Sequence, residues 1–245
     1  MSGFSGAGTV LGLADEKQCI AAVIGCGGKT AFIKSLADEY RHKKVLITPT
    51  TKILPMRDKN VVLCSTLPEC RSHIPVNGIQ CLGLLNDKTG KLEALPMPLL
   101  EETVKHYDLV LLEADGSGGL PCKGWLPDEP VIPPFCTHTI GIVSLNALGK
   151  PADGETVLRL PEFLKLTGLR RGEIITVQSM VDMVCADDGM FHNGIGRQVI
   201  FVNQVEEDTA AAAAREWLRY IRQAYPGRFA CLSFGSARLN RWKEV

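Results

Sequence analysis

Hydrophobic positions along the chain follow two alternating patterns. Short continuous apolar runs rich in β-branched residues are typical of strands buried on both faces of a parallel sheet. Longer segments have an apolar residue every three to four positions, as on one face of a helix. The predicted strands are 19–24, 44–47, 60–64, 79–85, 108–112, 139–144, 199–203 and 229–234, and the predicted helices are 30–42, 101–106, 161–166, 177–185 and 208–225. The alternation predicts an α/β fold with a mostly parallel sheet flanked by helices.

One segment departs from this alternation. Residues 150–197 have little strand character and contain two of the short predicted helices. We therefore expect a single α/β domain over residues 1–245 with a small helical insertion at 150–197. A chain of 245 residues is long enough to bury one large core.

Composition and charge exclude several classes of protein. The 27 Lys and Arg residues balance 27 Asp and Glu residues, so no overall basic field favours nucleic acid or an anionic membrane. No apolar run approaches the ~18–20 residues of a membrane span, and no basic residue precedes Lys17, so we expect no signal peptide. The 9 cysteines are scattered and never form a CxxC motif, which indicates reduced thiols and a cytoplasmic protein.

The strongest chemical motif is the glycine-rich segment 25–30 (GCGGKT), between the first predicted strand and the first predicted helix. Such a turn directs backbone N–H groups and a helix N-terminus at one point, which favours an anion. Lys29 is placed to reach the β- and γ-phosphates of a nucleotide, and the Thr30 hydroxyl to bind Mg²⁺. The loop is shorter than the full G-x-x-x-x-G-K-[ST] pattern, because Val23 stands at its first glycine position. The glycines that form this candidate phosphate site are Gly25, Gly27 and Gly28.

Two acidic residues follow the buried strand 108–112. We expect Asp115 to bind Mg²⁺ through water, because an aspartate beside a phosphate loop commonly does so. The spacing Asp115-x-x-Gly118 is that with which GTPases place a backbone N–H near the γ-phosphate. Either Glu113 or Asp115 could orient an attacking water, and the sequence leaves this choice open.

Polar turns after the last two predicted strands are candidates for a nucleotide-base pocket. Asn203 and Gln204 follow one strand and Ser236 follows the other, as do the base-reading turns of P-loop GTPases. Gln204 and Glu206 stand where those GTPases have Lys and Asp, so the choice between ATP and GTP stays open. A dinucleotide-binding fingerprint is disfavoured, because Thr30 occupies its third glycine position and the second strand ends without a carboxylate.

Further candidates lie in loops expected at the same edge of the sheet. Thr50 or Thr51 could complete the Mg²⁺ shell, and Lys52 could meet phosphate or an anionic substrate. Lys123 follows the acidic strand end, so we expect it at this edge as well. Cys64, Cys70 and His73 match no zinc-binding spacing, and we interpret the two thiols as part of the core.

Several segments together resemble the YqeC family over about residues 15–240: GCGGKT, TPTTKI, LLEADGSGGLPCKGWLPDEPVIP, LNALGKP and FVNQVE. Members of this family are P-loop-like proteins regarded as accessory or maturation factors for selenium-dependent molybdenum hydroxylases. The resemblance implies a P-loop NTPase-like fold, Lys29 and Thr30 as phosphate and Mg²⁺ residues, and Asp115 as their acidic partner. It also implies a molybdenum hydroxylase or its cofactor as a partner, and a homodimer is compatible with it.

The function favoured by the sequence is Mg²⁺-dependent binding and hydrolysis of a nucleoside triphosphate, ATP or GTP. Lys29, Asp115 and Glu113 are the catalytic candidates. One alternative is a nucleotide-gated chaperone or carrier with little turnover. Another is a kinase or ligase that passes the γ-phosphate to a small molecule.

Overall fold

The computed structural model describes residues 6–13 and 16–245. The helices are α1 (Ala7–Val10), α2 (Lys29–Glu39), α3 (Leu67–Ser72), α4 (Met97–Val104), α5 (Leu160–Thr167), α6 (Val177–Cys185) and α7 (Asp208–Ala224), with a 3₁₀ turn at Leu145–Ala147. The strands are β1 (Cys19–Gly25), β2 (Lys44–Pro49), β3 (Lys52–Ile53), β4 (Val61–Cys64), β5 (Gly78–Leu82), β6 (Leu84–Asn86), β7 (Lys91–Glu93), β8 (Leu109–Glu113), β9 (Cys122–Lys123), β10 (His138–Val143), β11 (Val157–Leu158), β12 (Arg197–Val202), β13 (Cys231–Ser236) and β14 (Arg241–Glu244).

A nine-stranded sheet forms the centre of the molecule, in the order β14-β13-β12-β10-β1-β8-β2-β5-β4. Every neighbouring pair in it is parallel except β13 and β14, which are antiparallel. The prediction of a mostly parallel α/β sheet is therefore confirmed. Strand β1 lies between β10 and β8, so the glycine-rich loop that follows it is next to the acidic end of β8.

Helices cover both faces of the sheet, because alternate residues of β1 enter two different cores. Ile20, Ala22 and Ile24 join the cluster formed with α4, α5, α6 and α7. Ala21 and Val23 join the cluster on the opposite face, which contains the buried residues of α2. On that face Phe32 of α2 packs against Phe201 of β12 with ring centroids 5.4 Å apart. This packing fixes α2, and therefore the loop before it, against the sheet.

The segment 150–197 connects β10 to β12 and contains β11, α5 and α6. The two short helices predicted there are confirmed, each within one residue or less at either end. Phe163 of α5 and Met180 of α6 are completely buried in the same core cluster as the sheet residues. The segment therefore packs on the sheet through a shared core.

Two small sheets lie outside the main one, and the sequence patterns did not predict them. One pairs β9 with β11, and the other has the order β3-β7-β6. The predicted strand 79–85 is in fact divided at Gly83 between β5 and β6. The predicted helix 101–106 begins earlier, at Met97, because Pro98 fits the first turn of a helix rather than interrupting it.

None of the described helices has the length and the apolar run needed to span a lipid bilayer.

Candidate functional site

The glycine-rich loop between β1 and α2 has a backbone that only glycine adopts without strain. Gly25, Gly27 and Gly28 have φ angles of 92°, 98° and 98°. A Cβ atom on Gly27 would lie 2.5 Å from Cβ of Ser144, and one on Gly25 would lie 2.4 Å from the carbonyl oxygen of Ile142. The three glycines therefore let the loop turn tightly against the end of β10.

Backbone donors of this loop remain available to a ligand. Gly28 is the N-cap of α2 and no side chain caps the helix. Within the described part of the chain, the backbone N–H groups of residues 27–30 donate to no protein acceptor. Together with the helix dipole, these donors form a binding site for an anion.

Lys29 and Asp115 form a buried ion pair directly behind the loop. Nζ of Lys29 lies 3.2 Å from Oδ1 of Asp115 and donates to the carbonyl oxygen of Gly25 at 2.7 Å. The carboxylate of Asp115 in turn accepts the N–H of Gly25, at 3.1 Å and 3.0 Å for its two oxygens. Burial opposes the charge of Lys29, but the carboxylates of Asp115 and Glu113 raise its pKa above the usual value. Lys29 is therefore positively charged at neutral pH.

Asp115 has further partners that keep it inside the protein. The indole N–H of Trp125 donates to its Oδ2 at 2.9 Å, and Nζ of Lys123 lies 3.4 Å from the same oxygen. Lys123 is completely buried and also donates to the carbonyl oxygen of Gly116 and to Glu129. Burial lowers the pKa of Lys123. The structure thus makes Asp115 and Lys123 internal supports of the loop, with neither side chain lining the cavity described next.

Glu113 is the carboxylate that lies beside Thr30. The hydroxyl of Thr30 donates to Oε2 of Glu113 at 3.3 Å, across the gap between α2 and β8. Burial raises the pKa of Glu113, and the positive charge of Lys29 opposes that rise. Both residues line a cavity of about 610 Å³, which we call the loop cavity. Its other lining residues are Gly27, Gly28, Lys29, Lys52, Ile53, Leu54, Lys91, Gly116, Ser117, Gly118, Gly119, Leu120, Pro121, Asn146, Lys150 and Gln204.

A second cavity of about 470 Å³ adjoins the loop cavity, since both are lined by Gly28 and Gln204. Asn203 connects its two walls, because its amide donates to the carbonyl oxygen of Gly27 at 2.8 Å and accepts the N–H of Ala237 at 2.9 Å. We call this space the side cavity. The predicted residues Asn203, Gln204 and Ser236 are therefore brought together beside the glycine-rich loop.

Glu206 lines the side cavity with its charge already paired. Its carboxylate accepts hydrogen bonds from Ser236 at 3.0 Å and from the guanidinium of Arg238. The Arg238 hydrogen bonds hold the pKa of Glu206 below its usual value. Gln204 accepts from Ser144 at 2.6 Å and from Asn146 at 3.1 Å, which fixes the side-chain oxygen of Gln204 at the junction of the two cavities.

The remaining predicted residues divide between the cavity and its surroundings. Lys52 and Gly118 line the loop cavity. Thr50 lies outside it and donates its hydroxyl to the carbonyl oxygen of Val131 at 2.7 Å. Thr51 also lies outside, and its buried hydroxyl has no partner within residues 6–13 and 16–245. Both threonines therefore lie outside the cavity that Thr30 and Glu113 line, although the backbone N–H of Thr50 donates to the carbonyl oxygen of Glu113 at 3.1 Å.

Sequence reasoning missed four polar residues of the loop cavity: Lys91, Lys150, Asn146 and, next to the predicted Gly118, Ser117. Lys91 belongs to β7, in a small sheet that no sequence pattern indicated. Asn146 and Lys150 belong to the segment after β10, within the LNALGKP motif. The LNALGKP motif could have indicated these two residues, because it follows a strand that ends at the same edge of the sheet.

Comparisons with known proteins agree with the resemblance seen in the motifs. A family model described as YqeC protein matches residues 21–161, which include the glycine-rich loop, the acidic strand end and Lys123. The chain belongs to the YqeC family. Within it, the Uncharacterized protein YqeC of Escherichia coli (strain K12) is 29% identical over 221 residues, covering 86% of this chain and 85% of that relative. No solved structure matches the chain.

The cysteines of this YqeC-family chain form no disulfide or metal centre in the described structure. The nine thiols are free and buried, and Cys64 and Cys70 belong to one hydrophobic core cluster, as expected. Within the described residues, no three or more His, Cys, Asp or Glu side chains form a group that could hold a metal ion.

Proposed function

We propose that this YqeC-family protein binds and hydrolyses a nucleoside triphosphate with Mg²⁺, and acts in the cytoplasm as a maturation factor for selenium-dependent molybdenum hydroxylases. The nucleotide part of the proposal depends on the two cavities around the glycine-rich loop. The maturation part depends on the family resemblance.

One observation carries the proposal: the free N–H groups of residues 27–30 and the Thr30–Glu113 pair line the same cavity. Free backbone donors at a helix N-terminus bind phosphate oxygens. A hydroxyl and a carboxylate beside them supply the oxygen ligands that Mg²⁺ prefers. The combination suits the β- and γ-phosphates of a nucleotide bound with its cation. The base and ribose then extend toward the side cavity, where Asn203, Gln204 and Ser236 lie.

The side chains at the loop cavity fit Mg²⁺ better than a cation enclosed entirely by protein. Mg²⁺ usually keeps several waters and is held by one or two protein oxygens plus substrate phosphates. Thr30 and Glu113 are the residues that would hold it. When bound, Mg²⁺ would neutralise charge that develops on the phosphate oxygens.

Hydrolysis needs groups that stabilise negative charge on the phosphate oxygens and a group that accepts a proton. In the proposed reaction a water oxygen bonds to the γ-phosphorus, the bond from the γ-phosphorus to the bridging oxygen breaks, and nucleoside diphosphate leaves. The backbone donors of the loop stabilise the phosphate oxygens during this step. Glu113 accepts the proton of the water through the carboxylate oxygen that does not hold the cation.

Calorimetric titration with Mg²⁺–ATP and Mg²⁺–GTP tests the nucleotide-binding part. We expect binding to the parent protein, and at least about tenfold weaker binding by Thr30→Ala, because a ligand of the cation is lost. Thr209→Ala is the matched control, since Thr209 is the second residue of α7 as Thr30 is of α2 and lies exposed, away from both cavities. Equal affinities of parent and Thr30→Ala, or no binding by the parent, would contradict the proposal.

The client part needs a separate measurement. The parent protein, added with Mg²⁺ and the nucleotide that binds, should raise the activity of a molybdenum hydroxylase purified from cells that lack the factor. The Thr30→Ala protein should fail to do so and Thr209→Ala should succeed. Activation by all three proteins equally would mean that the maturation role does not use this site.

A further inference from the structure

The loop cavity is also lined by three lysines that lie outside the glycine-rich loop. They are Lys52 of β3, Lys91 of β7 and Lys150, which follows the 3₁₀ turn. These lysines come from three separate segments that converge on one space. None of them belongs to the strand, loop and helix that form the proposed phosphate site.

The charges of this cavity do not balance. The buried Lys29 is paired with Asp115 behind the loop, and Lys52 is paired with Glu93 at 2.8 Å. By contrast, Lys91 and Lys150 form no ion pair with any described residue. Glu113 is the carboxylate that lines the cavity. The charge of Lys91 acts on Glu113 and opposes the rise of its pKa, so the single carboxylate offsets one of these two ammonium groups and one positive charge is left over to attract an anion.

The backbone holds both lysines in place. Lys91 is paired with Asn86 across the β6–β7 ladder, and β7 is also paired with β3. Lys150 donates its N–H to Ala147 at 3.0 Å and accepts the N–H of Ile175 at 2.8 Å. Each lysine thus has a hydrogen-bonded backbone, while its side chain is free to reach a ligand.

The space is larger than a triphosphate tail requires. Its volume of about 610 Å³ is within the range of pockets that bind whole small molecules. The side cavity, of about 470 Å³, is available for the base and ribose. Beside the phosphates, room therefore remains for a second molecule next to Lys91 and Lys150.

We infer that Lys91 and Lys150 form a subsite for a small co-substrate that carries a phosphate or carboxylate group, held next to the γ-phosphate of the nucleotide. This inference rests on the proposed nucleotide site and specifies the chemical class of the second substrate. Lysine recognises an oxyanion as a point charge. The nearby Lys52 is less available, because Glu93 already accepts its hydrogen bond.

The test is a titration of the full-length protein saturated with Mg²⁺ and a non-hydrolysable triphosphate. Inorganic phosphate is the probe in one arm and succinate in the other, which separates a phosphate ligand from a carboxylate ligand. The variants are Lys91→Ala, Lys150→Ala and the double substitution. Lys88→Ala is the matched control, because Lys88 is an exposed lysine in the turn between β6 and β7 and does not line the cavity.

We expect one of the two anions to bind the nucleotide-loaded parent and Lys88→Ala equally, and to bind the double variant at least about tenfold more weakly. The nucleotide affinity of the double variant should stay within about threefold of the parent. If the nucleotide affinity falls as far as the anion affinity, the lysines hold the triphosphate itself. That result, or no anion binding by the loaded parent, overturns the subsite and leaves the nucleotide site intact. Failure of the nucleotide to bind at the start would instead overturn the proposed function.

Discussion

Asp115, two residues after the end of β8, holds Lys29 of α2 with Oδ1 and Nζ 3.2 Å apart, behind the glycine-rich loop. The same carboxylate accepts the N–H of Gly25 at the end of β1. The position of the lysine and the path of the loop therefore depend on one side chain from the neighbouring strand. This arrangement explains why the aspartate is buried rather than exposed in the loop cavity.

Asp115→Asn should lower the free energy of unfolding by about 3 kcal/mol or more. The substitution keeps the size of the side chain but leaves the buried ammonium group of Lys29 without its ion-pair partner, and it leaves Lys123 with Glu129 alone. The measurement is urea denaturation followed by the fluorescence of the three tryptophans. Asp58→Asn is the control, because Asp58 pairs with Lys34 on the surface, and its midpoint should equal that of the parent. Equal stability of Asp115→Asn and Asp58→Asn would mean that the buried pair does not support the fold.

Gly27→Ala should disturb the loop for two reasons, a close contact of the added Cβ and a positive φ angle. The added Cβ would approach Ser144 to 2.5 Å, and the φ angle of 98° is strained for alanine. We expect a loss of about 2 kcal/mol in unfolding free energy and at least tenfold weaker nucleotide binding. Gly227→Ala separates the two causes, because Gly227 has a φ of 76° with open space around it. If both variants bind nucleotide with the affinity of the parent protein, the prediction for Gly27 is wrong.

Glu113 should make the protein less stable as the pH rises above about 4.5, the ordinary pKa of a glutamate. Its pKa is raised in the folded state, so above that pH the folded protein binds more protons than the unfolded chain, and stability falls until the folded pKa is passed. Glu113→Gln removes this dependence and should be the more stable protein at neutral pH. Urea denaturation of both proteins between pH 4 and 8 measures the difference. If the unfolding free energies of the two proteins depend on pH in the same way, the pKa of Glu113 is not raised in the folded protein.

The central strands could be predicted from the sequence because they are buried on both faces. Strand β1 matches the predicted 19–24 within one residue, and β8 and β10 match 108–112 and 139–144 equally closely. Their continuous apolar runs follow directly from that burial. By contrast, β3 and β7 are two or three residues long and depend on pairing with other short strands, so local patterns carry no signal for them, and β6 was predicted only as the end of the strand before it. For this reason the sequence did not indicate that Lys91 of β7 lines the loop cavity.

The sequence identified both carboxylates at the end of β8 but could not assign their surroundings. Asp115 is enclosed by Lys123 of β9 and by Trp125 just after it, a segment whose path no local pattern specifies. Glu113 is left beside Thr30 at the loop cavity. We therefore propose Glu113, instead of the expected Asp115, as the acidic residue at Mg²⁺.

The most direct test of the central claim is the amide NMR spectrum of ¹⁵N-labelled protein during titration with Mg²⁺–ATP or Mg²⁺–GTP. The account predicts that the amide signals of Gly27, Gly28, Lys29 and Thr30 shift most, because their N–H groups donate to phosphate oxygens on binding. Exposed amides in the turn between β6 and β7, such as that of Lys88, should stay unchanged and provide the internal reference. Unmoved loop signals at saturating nucleotide, or shifts confined to another part of the chain, would contradict the claim.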